Sequence, residues 1–102
     1  MTERKYKYFV ANVIVAFDLG RKVDTIALYQ KWAYEGKLQD FKVFIYDDER
    51  SSGWLDVQPR NAERNIKIRL YMSGKGMVVG ARTEEEALQH LDAFADALDD
   101  LF

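Results

Sequence analysis

The sequence predicts an α+β domain in which an antiparallel sheet carries two helices on one face and leaves the other face open. Three observations predict it. Residues 65–72 alternate, with Ile66, Ile68, Leu70 and Met72 set against Lys67, Arg69 and Tyr71, which is the period of a half-buried strand. Ala87, Leu91, Phe94, Leu98 and Leu101 recur at steps of four, three, four and three, which is the period of a helix with one buried face. The element order is strand, helix, several strands, long helix, so both helices fall on one side of the sheet.

Each element has its own warrant. Residues 8–17, Tyr-Phe-Val-Ala-Asn-Val-Ile-Val-Ala-Phe, are β-branched and aromatic and read as a first strand, ended by Asp18-Leu19-Gly20. Asp24 caps a helix running through Trp32, with Ile26, Leu28, Tyr29 and Trp32 at near-helical spacing. Tyr34 to Leu38 reads as a short extended piece, and Phe41 to Tyr46 as a second clear strand. Residues 47–64 are polar, with Ser51-Ser52-Gly53 and the only proline, Pro59. They read as a long connection, a hairpin excursion carrying Trp54 and Val57. The alternating strand 65–72 turns at Ser73-Gly74-Lys75-Gly76, which has the glycines a hairpin needs, and returns through Met77 to Val79. Thr83 caps the last helix and Glu86 completes a capping box.

A length of 102 residues with 48% apolar and 14% aromatic residues suits one domain, 1–102, with one packed core. The chain has no cysteine, which excludes disulfides, thiolate metal ligands and a thiol nucleophile. No apolar run is long enough to span a bilayer, the charged segment Met1 to Tyr8 has no signal-peptide pattern, and a cytoplasmic protein is expected. Charge is unevenly placed. Residues 84–102 hold seven acids and no Lys or Arg, while the rest of the chain holds all 15 bases and is net positive. The acids of the first helical turn suit the helix dipole; Asp99 and Asp100 lie at the end it disfavours.

With the elements in place, a family resemblance is visible. Asn12-Val13-Ile14-Val15-Ala16 followed by Leu19-Gly20, then Thr25-Ile26-Ala27-Leu28 with Ala33-Tyr34, resemble the opening of one repeat of the TATA-box-binding protein family. Ser73-Gly74-Lys75, Gly80-Ala81 and Thr83-Glu84-Glu85-Glu86-Ala87 resemble its final hairpin and long helix. The likeness runs from about residue 9 to the C-terminus. It implies a half-saddle, a curved antiparallel sheet whose concave face binds the DNA minor groove in transcription or another DNA transaction, with a pair of aromatic wedges that kink the duplex. Carried over by position, it implies Phe41 and Tyr71 as the wedges, Asn12 as a base-edge reader, Ile14 as a groove contact and Lys75 as a backbone contact. Because one repeat is present where the family has two, it implies a homodimer built through the edge of the first strand.

The residues themselves support a nucleic-acid surface on the open face, formed by Asn12, Ile14, Phe41, Lys67, Arg69, Tyr71, Met77 and Val79, with Lys75 in the hairpin. Basic and aromatic side chains interleaved are what single strands and minor grooves accept. The bland reading is that Lys67 and Arg69 form the solvated side of an amphipathic strand. Val79 stands where the family has threonine, and Asp47-Asp48-Glu49 where it is basic, so the second reading is a protein-interaction domain without DNA binding. There, the last helix docks a basic partner through Asp92, Asp96 and Asp99. Catalysis is not expected. His90, the only histidine, has no second imidazole or thiol to share a metal, adjacent Asp47 and Asp48 point apart on a strand, and Ser73-Gly74-Lys75-Gly76 lacks the full phosphate-loop pattern. No cofactor or metal is expected.

Overall fold

The structure, a computed structural model, describes residues 6–11, 14–46, 54–62 and 65–101. Strands β1 (Lys7–Ala11) and β2 (Ile14–Asp18) are followed by α1 (Thr25–Glu35), and then by β3 (Phe41–Tyr46), β4 (Trp54–Pro59), β5 (Lys67–Tyr71) and β6 (Lys75–Val79). Helix α2 (Glu84–Leu101) ends the chain. The six strands form one open sheet in the order β1-β2-β6-β5-β4-β3, antiparallel throughout. Helix α1 carries the chain from β2 to the far edge, and the β3–β6 meander returns until β6 closes against β2.

Period-two alternation sorts the strands into two faces. Val15, Phe17, Val43, Leu55, Val57, Ile68, Leu70 and Val78 are buried on one of them, in a single cluster with Leu28 of α1 and Leu88, Leu91, Phe94 and Leu98 of α2. Both helices therefore cover the same face, α1 over β3 and β4 and α2 over β2 and β6. The expected stripe of α2 is confirmed, since Ala87, Leu91, Phe94 and Leu98 are all buried.

The helix ends follow their sequence signals. The Asp24 carboxylate accepts from the Ala27 N–H at 3.0 Å, and Gly36 closes α1 in the left-handed conformation at φ 70°. Thr83 Oγ1 accepts from the Glu86 N–H at 3.1 Å, and the Glu86 carboxylate reaches back to the Arg82 N–H at 3.0 Å.

Four readings are corrected. Residues 8–17 are not one strand: Ala11 pairs with Ile14 and Tyr8 with Phe17, so the segment folds back as the β1–β2 hairpin. Strand propensity is the same for one long strand or two short ones, and Asn12 is the only turn-type residue between them. Tyr34 to Leu38 is not extended; α1 runs on to Glu35, leaving Tyr34 exposed. Residues 54–59 are not an excursion but β4, an interior strand paired with both β3 and β5, while 47–53 and 63–64 lie outside the described residues. Met72 is not core: β5 ends at Tyr71 and Met72 opens the turn, exposed.

Two close approaches hold the sheet end together. The loop after β2 docks on the β5–β6 turn, with Leu19 N–H donating to Gly74 O at 2.9 Å and Val23 N–H to Met72 O at 3.0 Å. Gly74 has φ 88°, and a Cβ there would sit 1.8 Å from Arg21 O. At Gly76 a Cβ would fall 2.0 Å from Arg69 O on the paired strand and 2.6 Å from Phe17 Cζ, so this glycine lets the strand and the Phe17 ring approach.

Candidate nucleic-acid interface

The open face is built from the residues that alternate with the core, and strand register lines them up in three rows running across the strands. The central row is Ala16, Met77, Arg69, Asp56 and Phe44, each the cross-strand partner of the next. On one side lie Lys7, Asp18 and Lys75, paired in that order, with Tyr71 and Trp54 paired beyond the turn. On the other side lie Ile14, the pair Val79 and Lys67, and the pair Gln58 and Lys42. Neighbouring rows are two residues apart along a strand, so the outer rows are separated by about 13 Å.

Lysines occupy both outer rows. Lys7, Lys42 and Lys75 are exposed and Lys67 half-buried, and none makes an ion pair with another described residue. Beyond Lys42 a cleft of about 360 Å³ is lined by Gln58, Arg60, Asn65 and Ile66, which adds a further cation beside Lys42. Aromatic and apolar side chains share these rows: Phe44, 44% exposed, and half-buried Met77 lie in the central row, and Ile14, 43% exposed, and half-buried Trp54 and Tyr71 lie in the outer ones.

The centre is not a free cation. Arg69 Nε donates to Asp56 Oδ1 at 2.8 Å and Arg69 Nη2 to Asp56 Oδ2 at 3.1 Å, a two-toothed pair across β4 and β5. Asp56 is 2% exposed, whereas the Arg69 side chain is 38% exposed. The guanidinium also lies over the Trp54 ring, 5.2 Å from its centroid, and Trp54 meets Tyr71 at 6.3 Å. The Asp56 hydrogen bonds and negative charge hold the Arg69 pKa above its already high ordinary value, against the opposing effect of burial.

The expected site residues divide. Ile14, Lys67, Arg69, Tyr71, Lys75, Met77 and Val79 share the open face. Asn12 lies outside the described residues, as do Asp47, Asp48 and Glu49. Phe41 is corrected. It is 5% exposed, on the covered face, its ring edge-on to Phe94 at 5.8 Å and its carbonyl accepting from Trp32 Nε1 at 2.9 Å. Parity decides it: Phe41 shares a face with Val43, and Lys42 and Phe44 take the other.

Sequence reasoning missed Lys7, Lys42, Phe44, Trp54 and Asp56. For Lys42 and Phe44 the signal was present, since a lysine between Phe41 and Val43 marks the open side. For Trp54 and Asp56 it was hidden, because Asp56 and Pro59 interrupt what would otherwise read as a strand around Leu55 and Val57.

The acids expected to meet a basic partner, Asp92, Asp96 and Asp99, lie away from this face, on α2, and all three interact within the chain. Asp92 accepts from the Tyr6 hydroxyl, tying the start of β1 to α2, and Asp99 pairs with Arg21 at 3.2 Å. That contact supplies a reason for an acid at the end of α2 where the dipole disfavours it. Among the described residues no group of three or more His, Asp or Glu is placed to hold a metal, and no helix is long and apolar enough to cross a membrane.

Comparison with protein-family models, with curated proteins and with solved structures gives no match.

Proposed function

We propose that this is a nucleic-acid-binding domain with a TATA-box-binding-protein-like half-saddle, using the open face of its sheet as the binding surface. The observation that carries it is the segregation of chemistry by face. On the open side Lys7, Lys42, Lys67 and Lys75, which make no ion pair with another described residue, share the face with aromatic and apolar side chains. They outnumber its acids, Asp18 and the Arg69-paired Asp56, whereas the acids of α2 belong to the helical layer. A polyanion with planar bases complements such a surface in charge and in shape. From β2 onward the order strand, helix, several antiparallel strands, long helix agrees with the expectation from the resemblance and supports this reading, with β1 as an added edge strand. A second copy pairing along the outer edge of β1 would double the face, which keeps the homodimer within the proposal.

The wedge pair does not carry over, because Phe41 belongs to the core; Phe44, Trp54 and Tyr71 are the aromatics this face offers. The reading of α2 as a dock for a basic partner has less support, since Asp92 and Asp99 already have partners within the chain.

The test is titration of labelled duplex, single strand and RNA–DNA hybrid across a salt series, with molecular mass measured in the same solutions. Binding is expected to weaken steeply with salt, and the combined change of Lys42, Lys67 and Lys75 to glutamine is expected to reduce the salt slope by roughly 0.7–0.9 per lysine in contact. Flat curves for all three nucleic acids at low salt would end the proposal.

A further inference from the structure

Among the described residues of the open face, Arg69 is the cation whose charge is met by an ion pair, with its cross-strand neighbour Asp56. Asp56 is almost completely buried, and its two oxygens take Nε and Nη2 of the guanidinium. A guanidinium has five N–H donors, so some remain beyond Asp56 and the neighbouring Tyr71 side chain, and more than a third of the side chain stays exposed. The plane is fixed along one edge by the carboxylate and on one side by the Trp54 ring. Lys42 and Lys67 are the reverse case, point charges on flexible stems that make no ion pair with another described residue.

These two environments suit two parts of a nucleic acid. Neutralising a phosphate releases a counterion only if the protein charge is uncompensated beforehand, and Arg69 fails that condition while Lys42 and Lys67 meet it. A fixed planar cation on an aromatic ring is instead a stacking surface for a nucleobase. Stacking requires the face of the base, which a duplex keeps covered and an unpaired strand exposes.

We infer that the Arg69–Trp54 pair, fixed by Asp56, is a stacking platform for an unpaired nucleobase, and that the lysines of the outer rows hold the phosphates on either side of it. This rests on the proposed nucleic-acid reading and adds to it the strandedness of the ligand and a division of labour. Asp56 is a positioning residue, since it acts through Arg69.

The test uses the full chain and three probes, an oligothymidylate of about 12 nucleotides, within the range such platforms cover, an abasic phosphodeoxyribose strand of equal length and a duplex of equal length. Each is titrated by fluorescence anisotropy from about 50 to 200 mM salt. Oligothymidylate is expected to bind more tightly than the other two. Arg69→Lys, which keeps the charge and an Asp56 contact but loses the plane, is expected to lose about tenfold on oligothymidylate, to change little on the abasic strand and to keep the salt slope. Asp56→Asn frees the charge, so the slope is expected to steepen by roughly 0.7 while the preference for bases falls. Lys67→Gln is expected to weaken both single strands alike and to flatten the slope by a similar amount. Circular dichroism confirms that each variant is folded, and if Asp56→Asn is not, Arg69→Lys alone decides.

Equal losses for Arg69→Lys on the oligothymidylate and abasic strands, or no loss on either, would overturn the platform while leaving nucleic-acid binding standing. Tighter binding to duplex than to oligothymidylate would overturn the unpaired-base assignment. Failure of the unaltered protein to bind any of the three would overturn the functional reading and this inference with it.

Discussion

The two faces of this sheet are made by the same strands, often by adjacent residues, and they hold charge and aromatic rings in opposite ways. On the covered face the rings are locked into the core: Phe41 against Phe94, and Phe17 over Gly76. On the open face Phe44 keeps nearly half its surface, and Trp54 and Tyr71 stand partly exposed beside a guanidinium. The covered face is shaped by the removal of apolar area from water, which is non-directional and favours any ring that fits. The open face holds a buried carboxylate, which persists only because Arg69 satisfies it.

The widest gap between the faces should appear when one ring is removed from each. Phe94→Ala empties a fully buried site and is expected to cost about 3–5 kcal/mol, whereas Phe44→Ala on the open face is expected to cost less than about 1 kcal/mol. Urea denaturation of both variants reads the difference, and equal losses would mean that the open face is packed by something else.

A smaller and asymmetric effect is expected at the ion pair. Arg69→Ala strands a carboxylate that is only 2% exposed, and is expected to cost about 3 kcal/mol. Asp56→Ala leaves a guanidinium that is over a third exposed and that water can solvate, so about 1–2 kcal/mol is expected. The denaturation midpoints of the two single variants and the double variant test that order. If Asp56→Ala proved the costlier, the carboxylate would have to be supporting more than Arg69.

The least effect is expected at Arg21 and Asp99, a pair with side chains 42% and 45% exposed. Replacing either by alanine is expected to change stability by no more than about 0.5 kcal/mol, and less in high salt, as thermal melts at two ionic strengths would show. A larger loss would mean that the loop after β2 depends on this contact to dock on the sheet.

Much of the candidate site could be read before any fold was known, and its errors have physical causes. Lys67, Arg69 and Tyr71 were legible because Ile66, Ile68 and Leu70 between them set the parity of β5. Phe41 was misplaced because an aromatic is at home on either face, so a family correspondence carried more weight than its neighbour Lys42. Asp56 was invisible because a charged residue argues against a buried strand unless its partner is known, and that partner, Arg69, lies 13 residues away.

By itself the sequence determined what depends on neighbours along the chain: the alternation of β5, the apolar stripe of α2, the caps at Asp24 and Thr83, and the turn glycines. These are short-range because strand pleat, helix period and capping bonds span only a few residues. Only the tertiary structure decided which strands pair, that residues 8–17 fold back into a hairpin, that 54–59 form an interior strand of the sheet, and that Arg69 is paired with Asp56 on the neighbouring strand. Those features depend on contacts between distant segments, whose free energy comes from packing and burial rather than local preference.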